Sequence, residues 1–202
     1  RFMVFSTGNI YGLVPTGSDG SLETDTPNPQ GEYAMSALGR ERVFEYISRT
    51  HKQPVSVIRL NYACEMRYGV LVDLARRVWQ GEPVDLSMGY FNIIWQGDAN
   101  AMSLAALDNA GSPPFILNVT GERILRVREV AEQFGKLLER EVKFTGKEKT
   151  DALLSNARKA FNLFGTPEVT GDQLIEWVAE WIRSGGEWLG KPTHFESRDG
   201  AF

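Results

Sequence analysis

Cysteine and histidine are scarce in this chain of 202 residues: Cys64 stands alone, and His51 and His194 are the only histidines. A single cysteine excludes an intrachain disulfide, and the expected setting is reducing and cytoplasmic. A zinc site usually gathers three or four nitrogen or sulfur ligands, and these three residues lie far apart in sequence, so no metal site is expected. No apolar run approaches the ~20 residues of a membrane-spanning helix. No stretch reads as a signal peptide, and the glycosylation sequon at Asn118 is read as chance. Basic excess is lacking too: Lys and Arg total 22 against 26 Asp and Glu, for a net charge of −4. That balance argues against nucleic acid or an anionic membrane as a partner. Neither a G-x-G-x-x-G turn nor a Walker loop occurs, so no phosphate cradle of those types is encoded.

What is present is an alternation of short apolar runs with amphipathic stretches. "RFMVFS" (1–6) and "QPVSVIRLN" (53–61) read as strands covered on both faces. "FNIIWQ" (91–96) and "FILNVTG" (115–121) read as further strands. Helical spacing appears at 33–49, with Tyr33, Ala37, Arg40, Phe44 and Ile47 on one stripe. It recurs at 69–81, 98–110, 126–141 and 155–165, the last with Ser155 as N-cap. A final helix at 170–186 turns Leu174, Ile175, Trp177, Val178, Trp181 and Ile182 inward. Strands alternating with helices predict an α/β fold with a parallel sheet. Residues 12–32 are rich in Gly, Pro, Ser, Thr and Asp and form a loop long enough to be functional or mobile. The chain opens at Arg1, inside a predicted strand, so a preceding segment is expected.

Two side chains stand where chemistry is possible. Thr7 lies where a parallel strand ends, the side of an open α/β sheet on which ligands bind. Tyr33 lies at a helix start, after a loop able to fold over the same crevice. From spacing alone, Thr7 serves equally well as the cap of a turn and Tyr33 as a packing residue.

The order of four motifs resembles the extended short-chain dehydrogenase/reductases, the NAD-dependent epimerase/dehydratase family. "FSTGNIYG" resembles the family's strand closed by Tyr-Gly, here Tyr11-Gly12, and places Thr7 at its catalytic hydroxyl. "Y-x-x-S" followed by "RERVFE" resembles the next helix, with Tyr33 at the catalytic tyrosine. "VIRLN" resembles the following strand, and "FNIIWQGDANA" a later motif ending in Asp98. The resemblance implies the carboxyl-terminal part of a Rossmann-like parallel sheet with a small α/β substrate domain. Residues 1–66 and 91–110 would form the first unit, and 67–90 with 111–202 the second. It implies NAD or NADP as cofactor, held in part by Ser6, Tyr33, Leu60 and Asn61. It implies a sugar, sugar acid or nucleotide sugar as substrate, met by Asn9 and Arg67, and a homodimer through the helix that starts near Tyr33.

Three departures from the family pattern accompany the likeness. The glycine-rich turn that anchors a dinucleotide pyrophosphate is absent, so this chain alone is expected to bind NAD(P) weakly. Four residues after Tyr33, where the family has lysine, stands Ala37, on a face expected to line an open crevice. An ordinary phenol has a pKa of about 10, and a nearby ammonium would lower it; Arg40, one turn on, is the nearest substitute. Phe91 stands where nucleotide-sugar enzymes commonly carry arginine. A non-catalytic relative, kept as a binding or assembly module, is the alternative reading.

Overall fold

The computed structural model describes residues 1–200. In chain order its elements are β1 (Phe2–Thr7), β2 (Val14–Pro15), α1 (Gly31–His51), β3 (Val55–Leu60), β4 (Ala63–Cys64), α2 (Val70–Gln80), β5 (Val84–Asp85), β6 (Tyr90–Phe91) and β7 (Ile94–Trp95). They continue with α3 (Gln96–Ala105), β8 (Phe115–Val119), β9 (Leu125–Arg126), α4 (Val127–Leu138), β10 (Phe144–Thr145), β11 (Asp151–Ala152), α5 (Arg158–Phe164) and α6 (Gly171–Arg183). The protein is α/β, as its alternating pattern predicts. Among the described residues no helix is long and apolar enough to cross a membrane.

The main sheet is parallel, in the order β1–β3–β8. Its register sets Thr7 beside Leu60 and Leu60 beside Val119, so three carboxyl ends share one edge. β3 is central and reads as a continuous apolar run because both its faces are covered. Phe44 of α1 packs with Val4, Val55 and Val57 on one face, while Met102 of α3 and Ala160 of α5 join Ile58 and Leu117 on the other. The expectation of cover on both faces fails at β1. Among the described residues β1 pairs with β3 alone, and Phe2 and Phe5 are 45% and 43% exposed. β8, grouped by sequence with the second unit, lies in the main sheet against β3. A further layer of α2, α4 and α6 closes over Leu71, Leu74, Phe91 and Phe134.

Local chemistry explains where the elements start and where the reading of faces shifts. Thr170 caps α6 through a reciprocal pair: its hydroxyl accepts from Gln173 N–H, and the Gln173 side chain accepts from Thr170 N–H. Trp177 of that helix is 42% exposed and meets Trp95 edge-on at 6.0 Å, so it lies at the rim instead of facing in. α5 starts later than expected. Asn156 accepts from Arg158 N–H at 3.0 Å, whereas Ser155 is buried beside Asn92. On α1 the inward stripe is Ala34, Ala37, Glu41 and Ser48, and Arg40 is exposed. The offset arises because a charged residue, Glu41, takes a core position that an apolar count passes over.

Candidate functional site

The carboxyl edge of the sheet opens into a cleft of about 460 Å³. Ser6 and Thr7 reach it from the end of β1, Leu60 from the end of β3, Asn9 from the turn after β1, and Tyr33 from the first turn of α1. Five of the seven residues singled out from sequence therefore line one cavity. Thr7 also caps the 3-10 turn Gly8–Tyr11: its hydroxyl accepts from Asn9 N–H and donates to Asn9 Oδ1, both at 3.2 Å. The two roles left open for Thr7, turn cap and site hydroxyl, are thus met by one side chain. Ser6 is 6% exposed and its hydroxyl has no protein partner.

The other two residues lie elsewhere. Asn61 is buried under the turn and donates to Asn92 Oδ1 at 2.8 Å. A Cβ on Gly8 would stand 2.7 Å from Ser155 Oγ and 3.0 Å from Asn61 Oδ1, so the turn lies close against these two side chains because Gly8 has none. Arg67 sits outside the cleft and pairs with Glu65 at 3.1 Å.

Several lining residues were not legible in the sequence. Tyr62 and Tyr68 follow β3, Gln96 starts α3, and Pro192, Thr193 and His194 come from the carboxyl-terminal segment, which reads locally as a polar tail. Tyr62 and His194 have φ of +43° and +51°. The other two left-handed non-glycine residues, Lys52 and Glu139, are helix C-caps. Left-handed backbone at bulky side chains costs of order 1–3 kcal/mol and concentrates at functional sites.

No lysine or arginine lines the cleft among the described residues. Ala37, the position matched to the family lysine, is 1% exposed and packs with Ile10 and Tyr11, so it faces a sealed contact and not an open crevice. Arg40 does not reach the cleft. Beside burial, carboxylates act on its phenols. Burial, then the Glu196 carboxylate, pushes the Tyr62 phenol far up, and burial followed by Asp73 raises Tyr68. Burial also raises Asp73, against the opposing hydrogen bonds from Thr193. These phenols are therefore held protonated.

Beneath the cleft a buried polar network fixes the turn and the long loop. Arg59, on β3, forms two hydrogen bonds with the Glu41 carboxylate of α1, at 3.1 and 2.9 Å. Its third nitrogen donates to Tyr11 Oη at 2.7 Å and to Glu23 O at 3.2 Å. Tyr11 in turn donates to Asn118 Oδ1 at 2.8 Å, and Asn118 N–H donates to Glu23 Oε1 at 2.9 Å. The Asn118 amide donates to Ser21 O and Asn156 O at 2.9 and 3.0 Å. The loop at 12–32 is thus pinned to β3 and β8 through Ser21 and Glu23. Burial raises the Tyr11 phenol to about 12, against the lowering effect of Arg59.

No protein-family model and no curated protein matches the chain. Solved structures do. UDP-glucose 4-epimerase of Thermus thermophilus, in complex with NAD, is 23% identical with a TM-score of 0.73. The match covers 90% of this chain and 63% of that one. dTDP-glucose 4,6-dehydratase of Bacillus anthracis, also with NAD, is 19% identical with a TM-score of 0.75, over 90% of this chain and 61% of that one. UDP-glucuronic acid 4-epimerase of Bacillus cereus, with UDP-glucuronic acid and NAD, is 16% identical with a TM-score of 0.76, over 91% of this chain and 61% of that one. The chain therefore spans somewhat under two thirds of these structures. The likeness establishes the fold, a Rossmann-type α/β arrangement shared with epimerases and dehydratases.

Proposed function

We propose that this chain carries the acid/base pair of an NAD(P)-dependent oxidoreductase of the epimerase/dehydratase type, acting on a carbohydrate. The observation that supports it is the convergence of Thr7 and Tyr33, from separate segments, on one cleft at the carboxyl edge of a parallel sheet. Ser6, Leu60 and Tyr33, which all line the cleft, would hold the nicotinamide end of the cofactor. When bound, the nicotinamide supplies or accepts the hydride. Thr7 hydrogen-bonds the reacting oxygen, and Tyr33 gives it a proton or takes one.

The pyrophosphate anchor belongs, in this proposal, to a further α/β segment paired along the open edge of β1, where Phe2 and Phe5 are 45% and 43% exposed. This chain alone is then expected to bind NAD or NADP more weakly than micromolar, and calorimetry is the check. Homodimerisation through α1 is part of the same proposal, supported by Met35, Val43 and Tyr46 at 57%, 56% and 66% exposure.

A second reading, a non-catalytic binding module, is favoured by the sealed Ala37. One experiment separates the two. The full-length protein is screened with neutral sugars, sugar acids and nucleotide sugars, with either dinucleotide, beside Tyr33→Phe. General acid/base catalysis is typically worth about 10²–10⁴-fold, so the variant should lose that much turnover while binding the dinucleotide as the parent does. A Tyr33→Phe protein as active as the parent would remove Tyr33 from the chemistry.

A further inference from the structure

The carboxyl-terminal segment 191–200 forms a strap that lines the cleft with Pro192, Thr193 and His194 and is tied down at several points. Thr193 donates twice to Asp73 Oδ2, from N–H at 2.7 Å and from its hydroxyl at 2.6 Å. Phe195 is 2% exposed, with its ring 6.2 Å from that of Phe91. Glu196 pairs with Arg77 at 2.7 Å, and Arg198 donates to Ser87 O and Asp151 O, both at 3.0 Å. At the strap's end, a Cβ on Gly31 would meet Gly200 O at 2.1 Å, so the strap lies directly on the start of α1. Between the Thr193 and Phe195 anchors, His194 is held in left-handed backbone with an exposed side chain lining the cleft.

Charge decides what such a site accepts. Of the arginines around the cleft, Arg67 pairs with Glu65, Arg77 with Glu196 and Arg198 with Asp151. A diphosphate or carboxylate ligand calls for guanidinium or ammonium donors, and among the described residues no lysine or arginine lines the cleft. What the cleft offers is neutral: the amides of Asn9 and Gln96, and the rings of Tyr33, Tyr62 and Tyr68. Hydroxyls and amides pair with ligand hydroxyls, and aromatic faces cover the apolar face of a pyranose.

We infer that the strap is the specificity element of this cleft, and that the ligand is a neutral polyhydroxy compound of monosaccharide type, held in part by His194. The inference rests on the reading of the cleft as the substrate site. It differs in substrate class from the solved structures above, which are named for nucleotide sugars.

The test is ligand-observed NMR on this chain at pH 8, without dinucleotide. A panel of methyl glycosides, glucose among them, competes with glucuronate and UDP-glucose. A methyl glycoside is expected to bind, with neither anion tighter than its neutral counterpart. His194→Gly removes the imidazole and eases the left-handed backbone, so it should leave Tm level or raised and weaken the glycoside about fivefold, one hydrogen bond's worth. His194→Asn, which tolerates the same backbone, should restore most of the loss. Tenfold tighter binding of UDP-glucose or glucuronate, no binding by any neutral glycoside, or unchanged binding in His194→Gly would each overturn the inference. Failure of the oxidoreductase reading shows elsewhere, in the turnover of Tyr33→Phe.

Discussion

Glu41→Ala is the most severe test of how the site is built. Glu41 and Arg59 are 6% and 4% exposed, and their two hydrogen bonds tie α1 to the central strand. Truncating the glutamate leaves a guanidinium buried without its counter-charge. Loss of one member of a buried pair costs about 3–5 kcal/mol. In a domain of this size each kcal/mol moves Tm by roughly 2–4 °C, which places the expected fall at roughly 6–20 °C. Replacing both members, as Glu41→Leu with Arg59→Met, removes the stranded charge. It still deprives Tyr11 Oη and Glu23 O of a donor. That double variant should lie within about 1–3 kcal/mol of the parent; with Glu41→Leu and Arg59→Met alone each costing about 3–5 kcal/mol, the cycle closed by those two singles gives a coupling of at least about 3 kcal/mol. The assay is thermal and urea unfolding at pH 7, followed by circular dichroism. A Glu41→Ala loss below about 1 kcal/mol, or a cycle that adds within about 0.5 kcal/mol, would refute the claim that the pair organises the site.

Two more expectations concern the same region. Ala37→Lys places an ammonium in the contact between α1 and the turn Gly8–Tyr11, where Ala37 is 1% exposed; it should lose about 2–3 kcal/mol of stability by overpacking and gain no activity, and a stable, faster variant would show that the crevice is open. The Tyr11 phenol is raised from 10.0 to about 12 in the folded protein, so its contribution is fully present below pH 10 and is lost as pH rises towards 12, at most about 2.7 kcal/mol. Urea midpoints between pH 8 and 11.5 should fall less steeply in Tyr11→Phe, and equal slopes would contradict the assignment.

The fold was legible because local periodicity carries it. The apolar run of β3 marks a strand buried on both faces, and the spacing of α2 and α6 marks helices with one face to a core. Thr7 and Tyr33 were legible because the position of a residue at a strand end or helix start follows from that same periodicity. What the sequence by itself could not determine is everything set by contact between distant segments. Glu41 reads as a surface glutamate until Arg59, 18 residues away, is seen beside it. Ala37 reads as crevice-facing until Ile10 and Tyr11 close over it. His194 reads as part of a polar tail, yet it reaches the cleft because Asp73, 120 residues from Thr193, holds the strap in place. Pattern reports the face an element must bury, whereas tertiary structure alone decides which neighbour buries it and which polar groups are left to face a ligand.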